Sequence, residues 1–173
     1  MKKIVLLWEL LGFATAVLFG TLLHFLYAWL GEPAWIAPFS AVNESTWEHM
    51  KLLFFPMLIF AAVQSIFFRS NGELWPSFWC TKLRGIALGL ILIPIIFYTY
   101  NGAIGKSPDW VNIAIFFVAA AAAYASEARL FSSTPPRCRS QKLAIATLLA
   151  IALLFVVFTF APPPLAIFQD PRG

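Results

Sequence analysis

Five stretches of this sequence, residues 4–30, 47–68, 85–100, 111–131 and 143–160, are apolar with few interruptions. About 20 such residues in a helix cross the hydrocarbon core of a bilayer, and somewhat fewer suffice in places. A water-soluble chain of 173 residues could not hide them all, because a small domain leaves much of its surface in solvent. Composition agrees: 61% hydrophobic and 12% charged residues depart from the roughly 45–50% and about 25% of soluble domains. The expected fold is an all-α integral membrane bundle of five transmembrane helices, forming a single domain over residues 1–173. Pro56 and Pro94 fall inside the second and third stretches, which membrane helices tolerate. The third stretch is the shortest, so a four-span arrangement with that segment lying flat is the main competitor.

The N-terminus has the outline of a cleavable signal: Lys2 and Lys3, an apolar run, then Ala14-Thr15-Ala16. Glu9 breaks that outline and the run continues to Leu30, which predicts a retained first helix. Loop charges give the orientation. Lys2, Lys3, Arg69, Lys82, Arg84, Arg129, Arg137, Arg139 and Lys142 would share one side, against Lys51, Lys106 and Arg172 on the other. Glu32, Glu44, Glu48, Asp109 and Asp170 fall with the smaller set. The positive-inside rule then predicts a cytoplasmic N-terminus and an extracytoplasmic C-terminus.

Trp29, Trp35, Trp47, Trp75, Trp79 and Trp110 cluster near the predicted helix ends, as an aromatic belt does. Residues 74–79 are expected in the cytoplasmic headgroup layer. Gly85 and Gly89 form a GxxxG, and residues 119–123 are all alanine; both permit close helix contact. That contact could lie within the chain or build a homo-oligomer through Gly85 and Gly89. No basic run with interleaved aromatics is present, so nucleic acid is not an expected partner and membrane lipid is. Cys80 and Cys138 lack CxxC spacing or a nearby histidine and fall in loops assigned to the cytoplasm. They are expected as free thiols.

One face of the first segment is small or polar throughout: Glu9, Gly12, Ala16, Gly20, His24 and Tyr27 follow steps of three and four. It should point into the bundle. Glu9 and His24 then stand about 22 Å apart, at opposite membrane sides. Glu9 is expected to pair with a base of its own end or to carry a proton, and Glu127 to pair with Arg129 or Arg84. The small residues between Glu9 and His24 argue against a proton path joining them.

Residues 43–51, Asn-Glu-Ser-Thr-Trp-Glu-His-Met-Lys, open the second segment with a density of ionisable groups that membrane helices avoid. Ser45 and Glu48 fit a capping box, with Asn43 an alternative cap. That accounts for one acid and leaves Glu48, His49 and Lys51 unexplained as a set. Glu44, Glu48 and Lys51 are spaced to share a helical face, with His49 beside Ser45. His24 returns to the same level, as do Tyr98, Tyr100, Asn101 and Asp109.

The string Asn-Glu-Ser-x-Trp-Glu-His-x-Lys over 43–51, followed by Phe55-Pro56, resembles the signature of an uncharacterised bacterial family of small multi-span membrane proteins. The tail from Phe158 through Pro162-Pro163 to Phe168 and Asp170-Pro171 is similar to that family's C-terminal pattern. The resemblance implies a place in the cell (inner) membrane and a shared site on the outer side. It implies no reaction.

Three function classes follow. In the first, His24, Glu48 and His49 act on a lipid-like or head-group substrate, as a metal-assisted hydrolase or as a metal-free acid–base pair. Asn43, Glu44, Ser45, Lys51, Tyr98, Asn101, Asp109 and Asp170 would bind the ligand. HExxH and HxxxH spacings are absent, so a divalent metal at His24, Glu48 and His49 would draw its ligands from separate helices. Heme between His24 and His49 ranks behind it, because both histidines sit near one surface. In the second class the same groups hold a head group or coupling ion in a small transporter or channel-like oligomer subunit. In the third they form a satisfied network in a structural or accessory subunit.

Overall fold

Glycine at position 31 ends the first helix, α1 (Lys2–Trp29). Its φ of 79° is left-handed, and the amide of Glu32 donates back to Tyr27 O at 2.9 Å, the glycine-closed C-terminus that most side chains resist. The chain then loops back into α2 (Thr46–Ser70), which runs straight through Pro56. Next come α3 (Phe78–Ala103), α4 (Asp109–Ser132), α5 (Gln141–Phe160) and a short 3₁₀ turn, Ala166–Phe168. The computed structural model describes residues 2–72, 77–133, 138 and 140–171. Among these there is no strand, and five helices are long and apolar enough to cross a membrane.

The third helix is longer than its apolar stretch predicted, starting at Phe78 rather than residue 85. It packs along α4 and touches α2 and α5, which rules out the reading as a flat surface segment. The reason is Lys82. Its ammonium is buried between Glu9 of α1, at 3.0 and 3.1 Å, and Glu127 of α4, at 2.5 Å. Two acids from other helices thus make room for a cation inside the bundle. Glu9 has the base expected of it, whereas Glu127 pairs with Lys82 instead of Arg129 or Arg84.

The small face of α1 does turn inward: Glu9, Gly12, Ala16 and Gly20 are buried. Gly85 and Gly89 are consumed inside the chain. A methyl group on Gly85 would overlap the Glu127 carboxylate, and one on Gly89 would lie 2.8 Å from Leu53 and 3.2 Å from Ala123. That glycine face is therefore occupied by contacts within the chain. Trp29, Trp35 and Trp110 are exposed as belt residues should be. Trp47 departs from the belt and packs against Phe155, Phe158 and Phe168, while Trp79 packs against Phe78. Part of the expected headgroup segment, residues 74–76, lies outside the described residues.

The cysteine expectation is overturned. Cys80 and Cys138 form a disulfide with Cα atoms 5.8 Å apart. The bond ties the start of α3 to the segment before α5, where Trp79 N also donates to Gln141 Oε1 at 2.9 Å.

Candidate metal centre at the histidine end

Polar side chains hold the loop between α1 and α2 in place. Ser40 Oγ donates to Leu23 O and accepts from Tyr27 N at 2.9 Å. Val42 N donates to Glu48 Oε2 at 2.9 Å, and Glu44 N donates to Asp170 Oδ2 at 3.1 Å. Asn43 Oδ1 accepts from Ser45 N at 2.9 Å. Ser45 caps α2 in extended conformation (φ −66°, ψ 154°), its Oγ accepting the Glu48 amide. The predicted capping box is thus half formed, since the Glu48 carboxylate reaches Val42 rather than returning to Ser45.

Because the helix begins at Thr46, Glu44 lies outside it, and the shared face expected for Glu44, Glu48 and Lys51 does not form. The polar segment divides in two. On the dry side, Glu48 Oε2 and Lys51 Nζ pair at 2.6 Å, both buried. Lys51 also donates to Ala37 O at 2.9 Å and to Thr159 Oγ1 at 2.8 Å, joining loop, α2 and α5. On the wet side, Glu44 Oε2 stands 3.6 Å from His24 Nε2 and 3.6 Å from His49 Nε2. The imidazole centroids are 5.4 Å apart, and the three side chains are 20–26% exposed.

Those separations have a chemical meaning. An N···O distance of 3.6 Å is too long for a hydrogen bond. Two ligands of a tetrahedral ion, each about 2.0–2.1 Å from it, stand roughly 3.3 Å apart. The donor atoms of His24, Glu44 and His49 all lie within 4.8 Å of one another. His49 Nδ1 is 2.9 Å from Ser45 O; as a donor to that carbonyl it leaves Nε2 its lone pair, the usual second contact of a ligating histidine. His24 Nδ1 is buried and has no protein partner. The donor set fits a divalent transition metal.

A small, open cleft lies beside this group, between Glu44, Thr46 and His49 on one wall and Ile93, Phe97 and Phe116 on the other. It continues past Glu44, Phe97 and Asn112 to a polar mouth at Asn101, Lys106, Ser107 and Asp109. Hydrogen bonds knit that mouth together: Ser107 N to Asn101 Oδ1 at 2.8 Å and Ser107 Oγ to Asn112 Oδ1 at 2.9 Å. A family model matches residues 2–172 of the chain. The chain belongs to DUF6512, a family of unknown function. Comparison with curated proteins and with solved structures gave no match.

Of the site residues singled out in this DUF6512 chain, the structure brings His24, Glu44 and His49 together and sets Asp170, Asn101 and Asp109 around them. Asn43 and Ser45 serve the turn and the cap, Glu48 and Lys51 serve each other, and Tyr98 is exposed. Sequence reasoning missed Ser107 and Asn112. Asn112 was the findable one, because it follows Asp109 by three residues and so shares its face in the first turn of α4.

Proposed function

We propose that this protein is a multi-pass membrane protein holding one divalent transition-metal ion, zinc by donor type, between His24, Glu44 and His49. With that ion it binds and hydrolyses the polar head group of a lipid-like substrate at the extracytoplasmic rim. The observation that carries the reading is the convergence of two imidazoles and a carboxylate, the carboxylate oxygen 3.6 Å from each imidazole Nε2. Two histidines and one glutamate form a donor set of hydrolytic zinc sites, which leave a fourth position for water and lower its pKa to about 7. The ligating carboxylate is Glu44 rather than Glu48, because Glu48 is committed to Lys51. The reading as an amphiphilic substrate draws on the apolar border of the cleft, Ile93, Phe97, Ile115 and Phe116, along which a hydrocarbon chain would lie with its tail in the surrounding lipid. Lys106 and Asn101 at its mouth suit a polar or anionic head. Heme has less support, since the Glu44 carboxylate lies against both Nε2 atoms.

Metal analysis of the full chain purified in detergent tests the reading. About one metal ion per chain is expected, falling roughly tenfold or more in Glu44→Gln and His49→Ala with helicity retained. Release of head groups from lipid-linked phosphates and esters, abolished by chelator and restored by zinc, tests the hydrolytic half. Protein that is metal-free and stays so after incubation with zinc would return the histidine cluster to a structural role.

A further inference from the structure

At the opposite end of the bundle, ionisable groups are buried that the proposed metal chemistry does not use. Glu9, Lys82 and Glu127 are 2%, 1% and 0% exposed. An ammonium offers three hydrogens, and here two meet Glu9, at 3.0 and 3.1 Å, and one meets Glu127 Oε2 at 2.5 Å. Gln64 Nε2 adds a bond to Glu9 Oε1 at 3.0 Å. Both oxygens of Glu9 thus accept hydrogen bonds, while Glu127 Oε1 is buried and has none in the hydrogen-bond network. The carbonyl oxygen of Gln64 and the hydroxyl of Tyr124, whose ring centroid is 5.7 Å from the Lys82 ammonium, are buried and unpartnered as well.

Among the described residues the charges of this buried group do not balance. Two carboxylates against one ammonium leave one negative charge in an apolar interior, where an uncompensated ion is strongly disfavoured. Arg69, Arg84 and Arg129, on α2, α3 and α4, are exposed, as is Lys142, the only charged residue of α5. A small cation restores the balance, and packing selects which one. The Cα of Gly85 lies so close that even a methyl group there would overlap the Glu127 carboxylate, and one on Gly12 would crowd the Tyr124 ring. A metal cation with its several oxygen ligands needs space that this packing denies. A proton needs none.

We propose that the Glu9–Lys82–Glu127 triad is a proton-binding centre, separate from the histidine site, which takes one exchangeable proton from water at its own end of the membrane. Hydronium gives the proton to Glu127 Oε1 and becomes water; an O–H bond forms on the carboxylate, and no electrons change hands. Glu9 remains the counter-ion of Lys82.

Infrared spectroscopy of the full chain in lipid bilayers at neutral pH tests this. The wild type should show the carbonyl band of a protonated carboxyl group, shifting on transfer to D2O. Glu127→Gln should lose it, and so should Glu9→Gln, because either change leaves a single carboxylate to match Lys82. A chelator should leave it untouched, so the outcome does not depend on the metal site. A wild-type spectrum without the band would overturn the proposal whatever the variants do. A band that survives both substitutions, or one that disappears as sodium chloride is added at fixed pH, would overturn it too.

Discussion

Positions 44 and 48 carry the same side chain and end in different chemistry. Glu48 lies in the first turn of α2, three residues from Lys51, and the two close a buried pair that Ala37 and Thr159 complete. Glu44 precedes the cap and faces two imidazoles. Removing one member of a buried pair leaves an uncompensated charge, so Glu48→Gln or Lys51→Met should lower unfolding stability by about 3–5 kcal/mol. Glu44→Gln, at a partly wet site, should change it by less than about 0.5 kcal/mol. Thermal unfolding in detergent distinguishes them, and equal losses would make Glu44 a structural residue. The metal reading adds a pH dependence of definite sign. Protons compete for imidazole, so dialysis near about pH 5 should strip metal that is kept near about pH 7.5; metal content at the two values reads it directly. Composition made the polarity of residues 43–51 legible in the sequence. Their division into two halves was not, because it depends on Ser45 holding an extended backbone that interrupts the helical spacing.

At the scale of helices, the inward face of α1 was readable because it repeats within one element, where the 3.6-residue period decides which side chains stack. The start of α3 was not, because a lysine at position 82 reads as loop until partners from two other helices are known. Hydropathy scores residues singly, while the membrane interior accepts groups that arrive paired. The same limit applied to Cys80, whose partner lies 58 residues away in sequence. The glycine pair on α3 illustrates the converse, a motif legible in sequence with a contact that was not. Gly89 meets Leu53 of α2 and Ala123 of α4 within the chain, so Gly89→Leu should act as overpacking and lower stability by about 1–3 kcal/mol. The unfolding transition should move while the cross-linked size distribution stays as in the wild type. A change in oligomeric state at unchanged stability would place a second copy on that face instead.

For the whole molecule, two polar centres occupy opposite ends of a bundle whose middle is dry. Ala16, Leu53, Ile86, Ala119 and Ala120 fill the interior between them, so among the described residues apolar side chains separate the proposed proton centre from the histidine cluster. Which water each centre faces depends on the orientation of the chain, and two features bear on it differently. The positive-inside bias, nine of twelve basic residues on one side, predicts a cytoplasmic Lys82 end. The disulfide sits at that same end, where a reducing compartment favours thiols. The bias acts while the chain inserts, whereas the thiol state can change afterwards, so the orientation proposed is the one that the bias predicts. In intact cells a membrane-impermeant maleimide should therefore label a cysteine introduced at exposed Gly105, between α3 and α4. Cys80 and Cys138 should stay unlabelled from outside even after reduction by a permeant thiol. The reverse pattern would turn the bundle over, placing the histidine site in the cytoplasm and the proton centre toward the exterior, with both internal geometries intact.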